Sequence, residues 1–191
     1  GRTHLQDATP ITLGQEFSGY CQMVKNGMQR LQNVQKHLSE LAQGGTAVGT
    51  GINTKIEFGQ LMAQEISRFS GITFSEAVNH FEAQAAQDTA VETSGALKTV
   101  AVSLSKIAND IRWMGSGPRA GIGELILPAV QPGSSIMPGK VNPVICESMI
   151  QICAQVIGND MAITMGGQGG VFELNLMLPL IAHNLTQSIK I

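Results

Sequence analysis

The sequence predicts an all-α protein built as a bundle of long helices. Apolar residues recur every three or four positions over long stretches, and no stretch of any length alternates polar and apolar residues as a strand does. Charged residues make up only 14% of the chain, whereas about 25% is ordinary for a globular domain. A helical bundle with so few charges is expected to cover much of its surface by contacts between subunits.

The first long helix is predicted over residues 13 to 41. Thr12 followed by Gln15 fits a capping box at its start, and Gly44-Gly45 is predicted to end it. The apolar positions step by threes and fours, which is the spacing of one helix face: Leu13, Phe17, Tyr20, Val24, Met28, Leu31, Val34, Leu38 and Leu41.

A glycine-rich stretch, GGTAVGTG at residues 44 to 51, follows this helix. It allows two interpretations, a phosphate-binding cradle or a tight connection between helices. The glycine spacing fails both the dinucleotide-binding and the P-loop patterns, and a helix precedes the stretch where those motifs need a strand. The sequence therefore favours the connection.

Four further helices are predicted over residues 57–69, 88–114, 143–165 and 174–190. The helix at 88–114 has the near-heptad spacing of a bundle seam, with apolar residues at Leu97, Val100, Leu104, Ile107, Ile111 and Met114. Short extended pieces are expected near residues 125 to 130, which completes an all-α bundle.

Composition disfavours several classes of protein. No apolar run of about 18 residues indicates a membrane span, and a net charge of −2 without a Lys/Arg cluster disfavours nucleic-acid binding. The cysteines, three in number, lack metal-ligand spacing, so they are expected to be buried free thiols in a reducing compartment. The abrupt start at Gly1 suggests a cut inside a larger protein or a processed terminus.

The stretch GSSIMPGKVNP, residues 133 to 143, ends a segment of nearly thirty residues without helical periodicity, a length typical of functional or disordered loops. Asn142 fits an N-cap and Pro143 a first helical residue. With Lys140, the positive end of that helix and the hydroxyls of Ser134 and Ser135 fit a site for an anion such as a carboxylate. The same features fit a surface loop with an ordinary cap equally well.

The first ten residues, GRTHLQDATP, contain His4, a residue type suited to proton transfer near neutral pH. A lone histidine is more often an ordinary surface or core residue. Here Thr3, Gln6 and Asp7 surround it ahead of a helix, which favours a functional role. The remaining histidines lie on helical patterns and are expected to be structural or solvated: His37, His80 and His183.

These stretches together resemble a known family. GSSIMPGKVNP resembles the signature of the fumarase/aspartase superfamily, and both GRTHLQDATPITLGQEFSGY and FELNLMLP at 172 to 179 resemble class II fumarate hydratases. The resemblance runs in order along essentially the whole chain. Aspartate ammonia-lyases usually have Gln in place of His4 and Ala in place of Gly139, and argininosuccinate and adenylosuccinate lyases lack the GRTHLQDATP pattern.

The resemblance implies reversible hydration of fumarate to (S)-malate, a step of the citric acid cycle. It assigns Ser134 as the base that removes the C3 proton of malate. His4 matches the residue that handles the departing hydroxyl through a water molecule, and Glu147 matches its carboxylate partner. The matched substrate-binding positions are Thr3, Ser135, Lys140, Val141 and Asn142.

The resemblance also implies an architecture. Residues 1–191 match the central helical domain of the fumarase/aspartase fold, with the family's N-terminal and C-terminal domains absent and the fragment alone inactive. The family assembles as a homotetramer around a helical core, shares each active site between three subunits and needs no metal or organic cofactor. The expected compartment is the bacterial cytoplasm or the mitochondrial matrix. Aspartate ammonia-lyase or another superfamily lyase, and a non-catalytic oligomerising helical scaffold, remain alternatives.

Overall fold

The computed structural model describes residues 1–133 and 135–191, and over these residues the chain is helical with only short strands, which confirms the all-α prediction. The helices are α1 (Leu13–Leu38), α2 (Phe58–Ser70), α3 (His80–Ala85), α4 (Asp88–Met114), α5 (Val144–Gly167) and α6 (Leu178–Lys190). The strands are β1 (Arg2–Thr3), β2 (Gln6–Asp7), β3 (Glu40–Leu41), β4 (Ser75–Glu76), β5 (Gly170–Val171) and β6 (Leu174–Asn175). β1 pairs with β2 and β5 with β6 in antiparallel hairpins, whereas β3 and β4 are parallel.

The chain forms two compact units. Unit 1 comprises Gly1–Gln29 and Thr99–Ala154, and unit 2 comprises Arg30–Lys98 and Gln155–Ile191. Every predicted site residue that the structure describes belongs to unit 1.

The start of α1 confirms the predicted capping box, but its end differs from the prediction. The Gln15 N–H donates to Thr12 Oγ1 at 3.1 Å, and the Thr12 N–H donates to Gln15 Oε1 at 2.8 Å. The helix ends at Leu38 and not at residue 41, because β3 pairs with the distant β4. Gly44-Gly45 therefore does not terminate α1.

The other predicted helices exist, with one late start. α2 lies within one residue of its predicted bounds, and α4 matches them. α6 begins at Leu178 and not at residue 174, because residues 174 and 175 pair in the β5–β6 hairpin. No strand is described at residues 125 to 130, so the expected extended pieces there lack sheet pairing.

The short helix α3 was not predicted. Asn79 caps it by accepting a hydrogen bond from the Glu82 N–H at 3.1 Å. The Gln84 amide donates to the carbonyls of Thr46 and Ala47 at 3.2 and 3.3 Å. These contacts hold the glycine-rich stretch as a connection that leads from β3 to α2, as predicted.

The core of unit 2 lies between α4, α5 and α6. Ala90, Ile163 and Ile181 are its buried centre. Buried polar groups are paired here: Asp160 accepts a hydrogen bond from Ser94 Oγ at 2.8 Å and pairs with Lys98 at 2.6 Å. The helices of this unit are therefore joined by both apolar packing and a buried ion pair.

Several predicted apolar stripes are exposed in the single chain. On α1, Phe17, Val24 and Met28 are 41%, 42% and 58% exposed. On α5, Met161 and Met165 are also exposed. Monomeric proteins rarely expose large apolar patches, and the contacts between subunits expected from the low charge content stay a prediction.

The cysteine prediction holds in part. Cys21, Cys146 and Cys153 are free, as expected, and Cys153 is buried. Cys21, however, is exposed, so the expectation of buried thiols was wrong for it. Among the helices of the described ranges, none combines the length and apolarity needed to cross a membrane.

Candidate active site

His4 lies at the tip of a β-hairpin made by the first residues of the chain. β1 and β2 pair Arg2 with Asp7 and Thr3 with Gln6, which leaves His4 and Leu5 as a two-residue turn. His4 and Leu5 have positive φ angles of 52° and 61°, as a type I′ hairpin turn requires. The predicted residues Thr3 and His4 therefore share one exposed hairpin.

A cavity of about 370 Å³, called the His4 cavity below, lies beside this hairpin. Its lining comes from the hairpin, α1, α4 and the segment after α4: Arg2, His4, Leu5, Glu16, Tyr20, Lys106, Asp110, Trp113, Met114 and Ile122. Within it, the Tyr20 hydroxyl donates to Glu16 Oε1 at 2.8 Å, or to Asp110 Oδ2 at 2.9 Å. Lys106 pairs with Asp110 and lies 4.9 Å from the centroid of the Tyr20 ring. One wall is thus an ordered network of a phenol, two carboxylates and a cation.

Tyr20 is the buried centre of this network, with 6% of its surface exposed. Its removal from water raises the pKa of its hydroxyl, and the hydrogen bonds to Glu16 and Asp110 raise that pKa further. Tyr20 therefore remains protonated at neutral pH, so its role is to hold the two carboxylates in place and not to transfer protons.

Replacing Tyr20 with phenylalanine is expected to lower the free energy of unfolding by about 2 kcal/mol at neutral pH, since hydrogen bonds to charged groups contribute about 1.5–3 kcal/mol. The raised pKa of Tyr20 means that its stabilisation is fully present below the ordinary pKa of 10.0 and is lost as the pH rises above it. Above that pH the wild type should lose stability more steeply than the variant.

Urea unfolding followed by circular dichroism from neutral to strongly alkaline pH measures both effects. Phe69→Leu is the control, because Phe69 is 94% exposed and its replacement should change neither stability nor its pH dependence. If the free energy of unfolding fell equally steeply with pH above about 10 for wild type and for Tyr20→Phe, the hydrogen-bond network of Tyr20 would be contradicted.

The loop before α5, residues 133 to 142, carries most of the other predicted residues. Ser134, the predicted base, lies outside the described residues. The backbone at Gly133 approaches the backbone at Lys140 closely. A Cβ atom on Gly133 would lie 2.4 Å from the Lys140 carbonyl oxygen, so only glycine permits this approach. Three of the predicted substrate-binding residues are exposed and one is half-buried: Ser135, Lys140, Val141 and, half-buried, Asn142.

The start of α5 differs by one residue from the prediction. The Glu147 N–H donates to the Pro143 carbonyl at 3.0 Å, so Pro143 accepts the first helical hydrogen bond and occupies the capping position. The prediction of Asn142 as N-cap and Pro143 as first helical residue was therefore wrong by one position. Glu147 lies in the first turn with its side chain exposed, and the positive end of the helix dipole still follows the loop directly.

In the described part of unit 1, the residues of the His4 hairpin are not linked to Glu147 or to those of the loop before α5. Across residues 1–133 and 135–191, no hydrogen bond or ion pair links His4 to Glu147 or to Lys140. The His4 cavity also contains none of the described loop residues. The predicted catalytic and substrate-binding roles therefore stay predictions.

Metal binding has no candidate site in the described ranges. There, no group of three or more His, Cys, Asp or Glu side chains is arranged to hold a metal ion.

Two residues beside His4 were missed by sequence reasoning. Tyr20 bonds Glu16 four residues earlier on the same helix, and this spacing was a signal that could have been used. Arg2 forms an ion pair with Glu124, a partner 122 positions away. No local sequence pattern predicts a contact between residues so far apart in the chain.

Comparisons with known proteins agree with the resemblance. The chain is 60% identical over 191 residues to the mitochondrial fumarate hydratase of Dictyostelium discoideum, which covers all of this chain and 39% of the relative. It is 58% identical over 191 residues to the class II fumarate hydratase of Neisseria meningitidis, covering 41% of that relative. The crystal structure of class II fumarase from Schistosoma mansoni superposes with a TM-score of 0.97 at 38% identity, over the whole of this chain and 43% of the other.

The chain thus spans roughly two fifths of the length of these curated relatives, 39% and 41% in the two cases. The family model described as Lyase matches residues 1–158, which is most of the sequence and includes the His4 hairpin, the loop before α5 and Glu147. The chain therefore belongs to the lyase family.

Proposed function

We propose that residues 1–191 are the central helical domain of a class II fumarate hydratase, which catalyses the reversible hydration of fumarate to (S)-malate in the citric acid cycle. The family's N-terminal and C-terminal domains lie outside residues 1–191 in this proposal. The observation that carries it is 60% identity to a fumarate hydratase along the whole of this chain. The His4 hairpin and the serine loop also supply the residue types that this chemistry needs.

The difficult step in malate dehydration is removal of the C3 proton, which is a weak acid. Ser134 is the proposed base. As the proton moves to it, the electron pair spreads into the neighbouring carboxylate as an aci-carboxylate. Preorganised donors and cations stabilise such developing charge. Lys140, Asn142 and the N-terminal end of α5 supply them, and the same positive surroundings stabilise the serine as an anion.

Collapse of the aci-carboxylate then breaks the C2–O bond, and the hydroxyl leaves as water after it accepts a proton. His4 is proposed to deliver that proton through a water molecule, with Glu147 as its carboxylate partner. An imidazole can both give a proton in dehydration and accept one in hydration. An exposed His4 on a short hairpin is accessible to such a water.

Substrate binding is proposed to involve residues from both the hairpin and the loop. Their hydroxyl, ammonium and amide donors suit the two carboxylates of fumarate or malate. The proposed set is Thr3, Ser135, Lys140, Val141 and Asn142. Most of these side chains are exposed in the single chain, as expected if residues of other subunits complete the site.

A homotetramer is the proposed assembly, with each active site shared between subunits. It would cover the exposed apolar positions of α1 and α5, such as Met28 at 58% and Met161 at 64% exposure. Burial of such area contributes about 25 cal/mol per Å². The proposed compartment is the bacterial cytoplasm or the mitochondrial matrix.

The test is an assay of the full natural chain that contains these residues. After fumarate is added, its absorbance should fall with time as it is hydrated to malate. After malate is added, the absorbance of fumarate should rise as fumarate forms. Release of ammonia from aspartate without fumarate hydration would replace the proposal with aspartate ammonia-lyase. A well-assembled tetramer with neither activity would indicate a non-catalytic helical scaffold.

A further inference from the structure

The hairpin that carries His4 is too short to be stable without contacts to the rest of the protein. Each of its strands has two residues, and an isolated two-stranded hairpin is at best marginally stable in water. His4 and Leu5 both have positive φ, an unfavourable backbone conformation for residues other than glycine. Such a conformation persists only where surrounding structure enforces it.

Among the side-chain hydrogen bonds and ion pairs of the described residues, one joins this hairpin to the rest of unit 1. Arg2, on β1, forms a charge-assisted hydrogen bond with Glu124. The Gln6 amide bonds within the hairpin, to the Leu5 carbonyl at 3.2 Å, and the Ala8 N–H closes the hairpin on Gly1. Across residues 1–133 and 135–191, no other side-chain hydrogen bond leaves residues 1 to 8.

Glu124 is itself fixed to the end of α4. Its N–H and that of Leu125 donate to the Met114 carbonyl at 2.8 and 3.0 Å, and Met114 is buried. The Gly123 N–H donates to the Ser116 carbonyl at 2.7 Å. The carboxylate that receives Arg2 therefore stands on a backbone held by several hydrogen bonds, and it makes a rigid anchor.

We propose that Arg2 is a positioning residue for His4: its ion pair with Glu124 fixes the hairpin to the end of α4. This inference rests on the proposed function, in which His4 delivers a proton through water. Proton transfer is sensitive to placement, and a 1 Å displacement of a reacting group can cost about 10²-fold in rate. Both side chains are partly exposed, so the ion pair itself contributes little to folding stability. Its effect should therefore appear in catalysis and not in unfolding.

The test is a double-mutant cycle in the full natural chain, with Arg2→Gln, Glu124→Gln and the double variant assayed for malate dehydration. Each single variant should lower kcat by about 10- to 100-fold, and KM should rise by less than kcat falls. The double variant should be no worse than the poorer single variant, because both substitutions break the same contact. Arg2→Lys should recover part of kcat, since it keeps the charge but loses the planar fork of donors.

Arg68→Gln is the matched control, because it breaks the exposed Arg68–Glu65 pair on α2 in unit 2. It should leave kcat at the wild-type value. Assembly and melting temperature should be unchanged in every variant. Three results with an active wild type would overturn the positioning role and leave the proposed function standing. They are an unchanged kcat for Arg2→Gln, additive losses of rate in the double-mutant cycle, and loss of assembly in the single variants. A wild type without fumarate hydration would overturn the proposed function first, before any variant is compared.

Discussion

Replacing His4 with asparagine in the full natural chain is expected to lower kcat for malate dehydration by about 10²- to 10⁴-fold, the usual contribution of general acid–base catalysis. KM should change much less, because in the proposed mechanism His4 contacts the leaving hydroxyl through water and does not bind the carboxylates. Fumarate absorbance measures the rate, and light scattering measures the assembly, which should remain intact.

Asparagine is chosen because of the backbone at this position. His4 has a φ of 52°, and asparagine is among the few residue types that adopt this left-handed conformation readily and is favoured in type I′ turns. Alanine would remove the imidazole and strain the turn together. With asparagine, a loss of rate reports the missing imidazole and not a misfolded hairpin.

His183→Asn supplies the matched control for this experiment. His183 lies exposed on α6, and the same change of side chain there should leave kcat within a factor of about two. If His4→Asn kept its rate, His4 would have no role in proton transfer. If it lost the tetramer, the hairpin would serve assembly and not chemistry.

Local patterns predicted the helices well because their information is short-range. Thr12 and Gln15 lie three positions apart, and their two reciprocal hydrogen bonds are visible in the sequence as a capping box. The stripe of α4 likewise repeats within one helix, and its predicted bounds were confirmed. Where one element fixed its own ends, sequence reasoning was sufficient.

Errors arose where a distant segment set the boundary. Leu41 continues the apolar spacing of α1, yet Glu40 and Leu41 pair in parallel with Ser75 and Glu76, a contact that tertiary structure decides. The His4 hairpin was missed for a different reason. Its strands are too short to show a two-residue period, and His-Leu lacks the Asn-Gly or Asp-Gly signal of a type I′ turn.

In the candidate site too, features set by neighbouring residues were predicted and features set by distant residues were missed. The helix that follows the serine loop was predicted from its cap residues, with an error of one position at Pro143. The network around Tyr20 needed Asp110, which lies 90 positions away, and the Arg2–Glu124 pair needed a still longer separation. Among the described residues, no hydrogen bond or ion pair joins His4 to Glu147, so their predicted partnership stays a prediction.

Replacing Lys98 with methionine is expected to lower the free energy of unfolding by about 3 kcal/mol. Breaking a buried ion pair by removing one partner costs about 3–5 kcal/mol, because the remaining charge is left buried. The lower end applies here, since the Lys98 side chain is 45% exposed although that of Asp160 is only 8% exposed. In the variant, Asp160 would keep one hydrogen bond, from Ser94 Oγ at 2.8 Å.

The double variant Lys98→Met with Asp160→Leu separates the cost of an unpaired charge from the value of the pair. With both charges removed, the unfolding free energy should return to within about 1 kcal/mol of wild type, because apolar replacements of similar volume are often neutral. Ser94 can then donate to a carbonyl of its own helix. Urea unfolding at one fixed protomer concentration measures this, since assembly stabilises the folded chain.

Lys106→Met is the matched control for Lys98→Met, because it makes the same substitution in α4 at a more exposed ion pair. Lys106 and Asp110 have side-chain exposures of 52% and 32%, and an exposed pair contributes at most about 1 kcal/mol. A loss for Lys98→Met no larger than for Lys106→Met would mean that water reaches Asp160. A double variant as unstable as the single one would mean that the ion pair itself, and not the avoided burial of a lone charge, stabilises the α4–α5 contact.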